Sequence, residues 1–121
     1  MAKILIAEDE EVLRMLLADT LEDEGHKVEV ACDGEEAYEL IKQNSYDLLL
    51  LDYMMPMFSG LELINMIRNE GIVTKILMLS AKSQASDQQK VLESGADYFI
   101  SKPFSPIELV KRIEEILSET K

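Results

Sequence analysis

Five short apolar runs alternate with five helix-patterned segments along this chain, and that alternation decides most of what it can fold into. The runs cover residues 3–7, 27–31, 48–51, 75–80 and 98–101. Each is too short for a buried helix, and most are continuously apolar, the form of a strand covered on both faces. The intervening segments predict helices over 10–24, 34–43, 60–70, 86–94 and 106–118. Leu13, Leu16, Leu17 and Leu21 make one apolar stripe at helical spacing, and Ile107, Val110, Ile113 and Leu117 make another. Helix starts are marked by capping patterns at Asp33-Gly-Glu-Glu36, Ser59-Gly-Leu-Glu62, Ser86-Asp-Gln-Gln89 and Ser105-Pro-Ile-Glu108. Pro106 falls at a first helical position, and Gly25, Gly71 and Gly95 fall where helices need to stop.

A chain that alternates strand and helix builds a parallel sheet with helices on both faces. For five strands the expected class is α/β: a flavodoxin-like (βα)5 doubly wound five-stranded parallel sheet of order 2-1-3-4-5. At 121 residues the chain suits one domain, residues 1–121, with no linker or low-complexity stretch. In such a sheet the strand ends share one edge, where open α/β folds place their ligands. Here that edge receives Glu8 and Asp9 after the first strand, Asp52 after the third, Ser80 after the fourth, and Lys102 before Pro103 after the fifth. Carboxylates, a hydroxyl and an ammonium thus converge where a divalent metal and a phosphoryl group could sit.

Charge narrows the partners. The chain carries 24 acidic against 12 basic residues, a net charge of -12. A field of that sign repels nucleic acid and anionic membrane, so neither is expected as a direct partner. No apolar run approaches the roughly 18 residues of a membrane span. The start Met-Ala-Lys-Ile-Leu-Ile enters a strand without a leader pattern, and the single cysteine, Cys32, allows no internal disulfide; a cytoplasmic location is expected. Cys32 reads as a small buried hydrophobe, His26 as a surface residue in a loop, and the seven methionines as mostly core filler, although Met54, Met55 and Met57 line the loop after Asp52.

Five motifs in order resemble the receiver domains of two-component response regulators. They are Glu8-Asp9; Asp52 within Leu-Leu-Asp-Tyr-Met-Met-Pro56; Ser59-Gly60; Ser80-Ala81; and Gly95-Ala-Asp-Tyr-Phe-Ile-Ser-Lys102-Pro103-Phe104. The resemblance spans all 121 residues. It implies a signalling module rather than an enzyme, in which Asp52 accepts a phosphoryl group from a histidine kinase or phosphotransfer protein and a downstream protein target reads the result. A carboxylate is a suitable nucleophile for that transfer, and it forms an acyl phosphate. Two carboxylates about 4 Å apart repel by roughly 4 kcal/mol at an effective dielectric near 20, so the acidic cluster calls for a cation. Mg2+, which takes hard oxygen ligands, is the expected one. Asp9, Asp52 and the backbone carbonyl of Met54 are assigned to it directly, and Glu8 through a water. Lys102 and Ser80 are assigned to the phosphoryl oxygens. Ser80 and Phe99 are the expected switch pair, with the signalling surface on helix 86–94, strand 98–101 and helix 106–118. The Lys102-Pro103 bond is expected to be cis on the same resemblance.

Three positions depart from the commonest family pattern. Glu8 stands where aspartate is frequent, Met57 where a turn often has glycine, and Phe99 where tyrosine is common. An aspartyl-phosphate hydrolase of the haloacid dehalogenase type would need a second carboxylate two residues after Asp52, where Met54 stands. A flavin-binding module would need a phosphate loop after the first strand, where Glu8-Asp9-Glu10-Glu11 would repel a phosphate. A stand-alone regulator is expected; the alternative is a receiver cut from a multi-domain regulator.

Overall fold

The computed structural model describes residues 2–81, 92–93 and 95–119. Five strands, β1 (Lys3–Ala7), β2 (Lys27–Ala31), β3 (Leu48–Asp52), β4 (Ile76–Ala81) and β5 (Tyr98–Lys102), form one parallel sheet of order β2-β1-β3-β4-β5. Helices α1 (Glu11–Asp23), α2 (Gly34–Gln43), α3 (Gly60–Asn69) and a C-terminal helix (Pro106–Ser118) cover it. This is the expected doubly wound architecture. The helix expected over 86–94, with its Ser86 capping pattern, lies outside the described residues, save Leu92 and Glu93, which are helical.

Strand side chains alternate between the two faces, and each face carries a buried apolar layer, with the edge strands β2 and β5 partly exposed. On one, Leu5, Leu49, Leu51 and Met78 pack against Ala37 and Ile41 of α2 and Leu63, Ile64 and Ile67 of α3. On the other, Ile4, Ile6, Leu48, Leu50, Leu77 and Leu79 pack against Leu17 and Leu21 of α1 and Leu109, Ile113 and Ile116 of the C-terminal helix. Burying a leucine or isoleucine side chain contributes roughly 1.5–3 kcal/mol, so these two layers are the main source of stability.

Local signals start the helices where the sheet needs them. Ser59 and Ser105 each accept the N–H three residues on, at 3.2 and 3.1 Å. Glu62 and Glu108 reach back to the serine N–H groups, each at 2.9 Å. Such caps contribute about 1 kcal/mol each. Asp33 accepts the Glu36 N–H at 2.8 Å, but the Glu36 carboxylate turns to the Cys32 N–H, at 2.7 Å, instead of closing the box on Asp33.

Several packing expectations are corrected. Leu16 is 47% exposed and Ile107 79% exposed, so the buried stripe of the C-terminal helix is Leu109, Ile113 and Ile116. Cys32 is exposed: β2 is an edge strand, and the turn after it faces solvent. His26 is half-buried, its Nδ1 accepting the Ala2 N–H at 3.2 Å. Among the described methionines only Met78 is buried; Met15, Met54 and Met57 are exposed.

Candidate functional site

Strand register brings three chemical groups to one corner of the sheet edge. Ala7 pairs with Leu51, Asp52 with Leu79, and Ala81 with Lys102. Glu8, Asp52 and Lys102 continue the alternation of Ile6, Leu50 and Ile100, which pack on the α1 side of the sheet. They meet there. Lys102 Nζ donates to Asp52 Oδ1 at 3.1 Å and to Glu8 Oε1 at 3.3 Å. Glu8 is 1% exposed and Asp52 5%, while Asp9 beside them is exposed. One carboxylate oxygen of each acid lies within 4.8 Å of the other two. The Lys102-Pro103 bond is cis, as expected.

Burial dominates the electrostatics. It pushes the Glu8 carboxyl up to about 7; a hydrogen bond from the Glu10 N–H and the Lys102 ammonium oppose the shift, and the Asp52 charge adds to it. Burial raises Asp52 as well, against the pull of Lys102. Burial also disfavours the Lys102 ammonium, but Asp52 and Glu8 outweigh it and hold its pKa above the ordinary value. With all four groups ionised, three negative charges face one positive charge, an excess of two that one divalent cation would balance. The donors are all oxygen, the set that suits Mg2+.

The remaining assigned residues stand differently. Ser80 continues the alternation of Met78 and so belongs to the opposite layer; it is 2% exposed, and its Oγ has no hydrogen-bond partner among the described residues. Met54 is 62% exposed, on the loop that leaves Asp52. Phe99, opposite Met78, is half-buried against the layer of α2 and α3. Met57 has φ 71, the left-handed conformation that glycine adopts most readily, so its departure from the family pattern is structural. One contact was not anticipated: Arg14 Nη1 donates to the Glu8 carbonyl at 2.9 Å and holds the acidic turn in place. Its signal was available, since Arg14 is the only basic residue of α1.

The raised Glu8 pKa has a thermodynamic consequence. The folded state holds this proton more tightly than the unfolded chain, whose glutamate titrates near 4.5. The associated stability is present below pH 4.5 and is lost as pH rises through about 7. In EDTA, Glu8→Gln is expected to melt above wild type at pH 8, by roughly 3–5 °C, the shift that about 1 kcal/mol produces at this size. The difference should shrink toward pH 5. Parallel melting curves for the two proteins across that range would refute the assignment.

The chain matches the profile of the response regulator receiver domain over residues 4–114. It is 42% identical over 118 residues to the transcriptional regulatory protein SrrA of Staphylococcus aureus, covering 98% of this chain and 48% of that one. The chain therefore spans about half the length of the curated relatives it matches. Among solved structures, a response regulator receiver domain of Francisella superposes with a TM-score of 0.94 at 35% identity, covering 100% of both chains. A CheY-like receiver domain protein of Methanospirillum hungatei gives 0.91 at 29% identity, over 98% of this chain and 95% of that one.

Proposed function

The chain belongs to the family of response regulator receiver domains, and from that premise we propose that it is a phosphoacceptor module in which Asp52 takes a phosphoryl group from a histidine kinase or phosphotransfer protein. The observation that carries this reading is the buried Asp52 carboxylate, held by Lys102 at 3.1 Å beside two further acids. An Asp52 oxygen attacks the phosphorus, the bond to the donor's imidazole nitrogen breaks, and that nitrogen leaves with its electron pair. The transition state is loose, so the site's task is to position groups and balance charge. Lys102 lies where its ammonium can pass from carboxylate to phosphoryl oxygen. Mg2+, held by Asp9, Asp52 and the Met54 carbonyl, with Glu8 acting through water, would neutralise charge on the transferring oxygens.

The same chemistry suggests the switch. Phosphorylation adds about two negative charges and three acceptor oxygens at Asp52. Ser80 Oγ, without a partner among the described residues, gains a candidate acceptor, and Phe99, which packs on the same layer, can answer its movement. The signalling surface is then the segment 86–94, β5 and the C-terminal helix, read by a downstream protein. Incubation with acetyl phosphate and Mg2+ should add the mass of one phosphoryl group, and EDTA should prevent it. Beryllofluoride, which mimics the phosphoryl group, should shift amide signals across residues 80–104 as well as around Asp52. Changes confined to the acidic corner would remove the proposed output face.

A cytoplasmic, stand-alone regulator acting by docking is the simpler output. One observation favours the second reading: the chain matches only 48% of a transcriptional regulatory protein. That reading makes it the receiver of a longer regulator, and the length of the reading frame distinguishes the two. Among the described residues no helix is long and apolar enough to cross a membrane.

A further inference from the structure

We propose that Gly34, at the first position of α2, is a positioning residue for the loop 53–59 that follows Asp52, and that it sets the Mg2+ affinity of the acidic corner. The inference rests on the phosphoacceptor reading. The turn that leads into α2 is held by side-chain hydrogen bonds. Asp33 caps α2 through the Glu36 N–H at 2.8 Å, and Glu36 Oε1 accepts both the Cys32 N–H, at 2.7 Å, and the Cys32 thiol, at 3.1 Å. From this turn the Gly34 N–H donates to the Pro56 carbonyl at 3.2 Å, and the same oxygen accepts the Phe58 N–H at 2.9 Å.

The approach is closer than any side chain would allow. A Cβ on Gly34 would lie 2.3 Å from the Phe58 carbonyl oxygen and 2.7 Å from the Phe58 Cβ. The nearest of these is backbone, so no rotamer change relieves the clash; the loop itself would have to retreat. Glycine is not needed here for its backbone freedom, because Gly34 is not among the residues with positive φ. In a helix, alanine is the better residue. The missing side chain therefore serves the contact.

The other end of the loop is fixed in the same way. The Gly60 N–H donates to the Tyr53 carbonyl at 2.8 Å, and a Cβ on Gly60 would lie 2.5 Å from the Asp52 carbonyl oxygen. Between these points Met57 is held at φ 71. The loop carrying the Met54 carbonyl is thus pressed toward the sheet edge by contacts that leave it little slack. Supporting contacts of this kind commonly tune metal affinity by 10–100-fold.

The test is a Mg2+ titration of the unphosphorylated protein, followed by the fluorescence of its tyrosines and by amide shifts of residues 53–59. Gly34→Ala should raise the half-saturating Mg2+ concentration by about tenfold. Its phosphorylation rate by acetyl phosphate should recover toward wild type once Mg2+ is saturating, a split that lost stability alone would not produce. Gly71→Ala is the control. Its φ of 80 makes alanine strained there, but nothing lies within 4 Å of its Cβ position, so it should cost stability and yet leave Mg2+ binding unchanged. Should Gly34→Ala not fold, the pair Gly34→Ala with Met57→Gly is measured against Met57→Gly alone, since the loop can then yield. Weakened Mg2+ binding in the pair supports the inference. Unchanged Mg2+ binding in a folded Gly34→Ala protein, or in the pair, overturns it while leaving the phosphoacceptor reading intact. A wild-type protein that neither binds Mg2+ nor takes up a phosphoryl group would sink both.

Discussion

Asp52→Asn is expected to abolish phosphoryl uptake from a small acyl phosphate, down to the background of a donor incubated without protein. The amide has almost the shape of the carboxylate but is no nucleophile, so the acyl phosphate cannot form. The loss should not come from unfolding. Burial disfavours the ionised Asp52, as its raised pKa records. Removing that charge should therefore leave the metal-free protein at least as stable as wild type near pH 8. Intact mass and a thermal melt on the same preparation separate the two explanations. A labelled Asp52→Asn protein would move the acceptor elsewhere, and an unlabelled but unfolded one would remove the argument from burial.

The second large effect is expected at Lys102. Its ammonium is the only cation paired with the Glu8 or Asp52 carboxylate among the described residues. Lys102→Met leaves two buried carboxylates without it. In EDTA at pH 8 the variant should lose about 2–3 kcal/mol, less than a fully enclosed pair because the lysine side chain is 28% exposed. Lowering the pH toward 5 should restore part of the loss, because the buried Glu8 then carries a proton in the folded state and no longer needs the lysine. Phosphoryl uptake should continue but slow by roughly 100-fold, the usual cost of removing one group that stabilises developing charge. Denaturant unfolding at the two pH values and the rate of mass gain check these effects independently. An unchanged rate would mean that Lys102 only neutralises the resting acids.

The elements that were legible in the sequence are those with strong local causes. Strand and helix bounds agree to within one residue wherever the structure describes them, because short apolar runs, serine caps and terminal glycines each act locally. The chemical corner was legible for a related reason: in a parallel sheet every strand ends on the same edge, so residues at strand ends must be neighbours. Orientation was harder. The C-terminal helix carries apolar residues on more than one face, and only the position of the sheet selects Leu109, Ile113 and Ile116 over Ile107. Cys32 was misplaced because an apolar residue at a strand end says nothing about whether the strand lies at the edge of its sheet.

Alternation along the strands explains the two behaviours within the site. Asp52 and Lys102 fall on one face and Ser80 on the other, which is why the acids meet the lysine directly while the Ser80 hydroxyl has no partner among the described residues. That difference could have been counted from Leu50, Ile100 and Met78, given the register. The contact between Gly34 and the loop at Pro56 and Phe58 could not. It depends on two backbones passing at a distance set by the whole fold, and a single glycine at the first position of a helix carries no mark of it.

The most direct test of the central claim is to locate the phosphoryl group chemically. Protein incubated with acetyl phosphate and Mg2+ is treated with borohydride, which reduces an aspartyl phosphate to homoserine, and is then digested and sequenced by mass. Homoserine at position 52 alone, formed with Mg2+ and not in EDTA, is the predicted result. Homoserine at position 9 instead, or equal labelling with and without the metal, would contradict it.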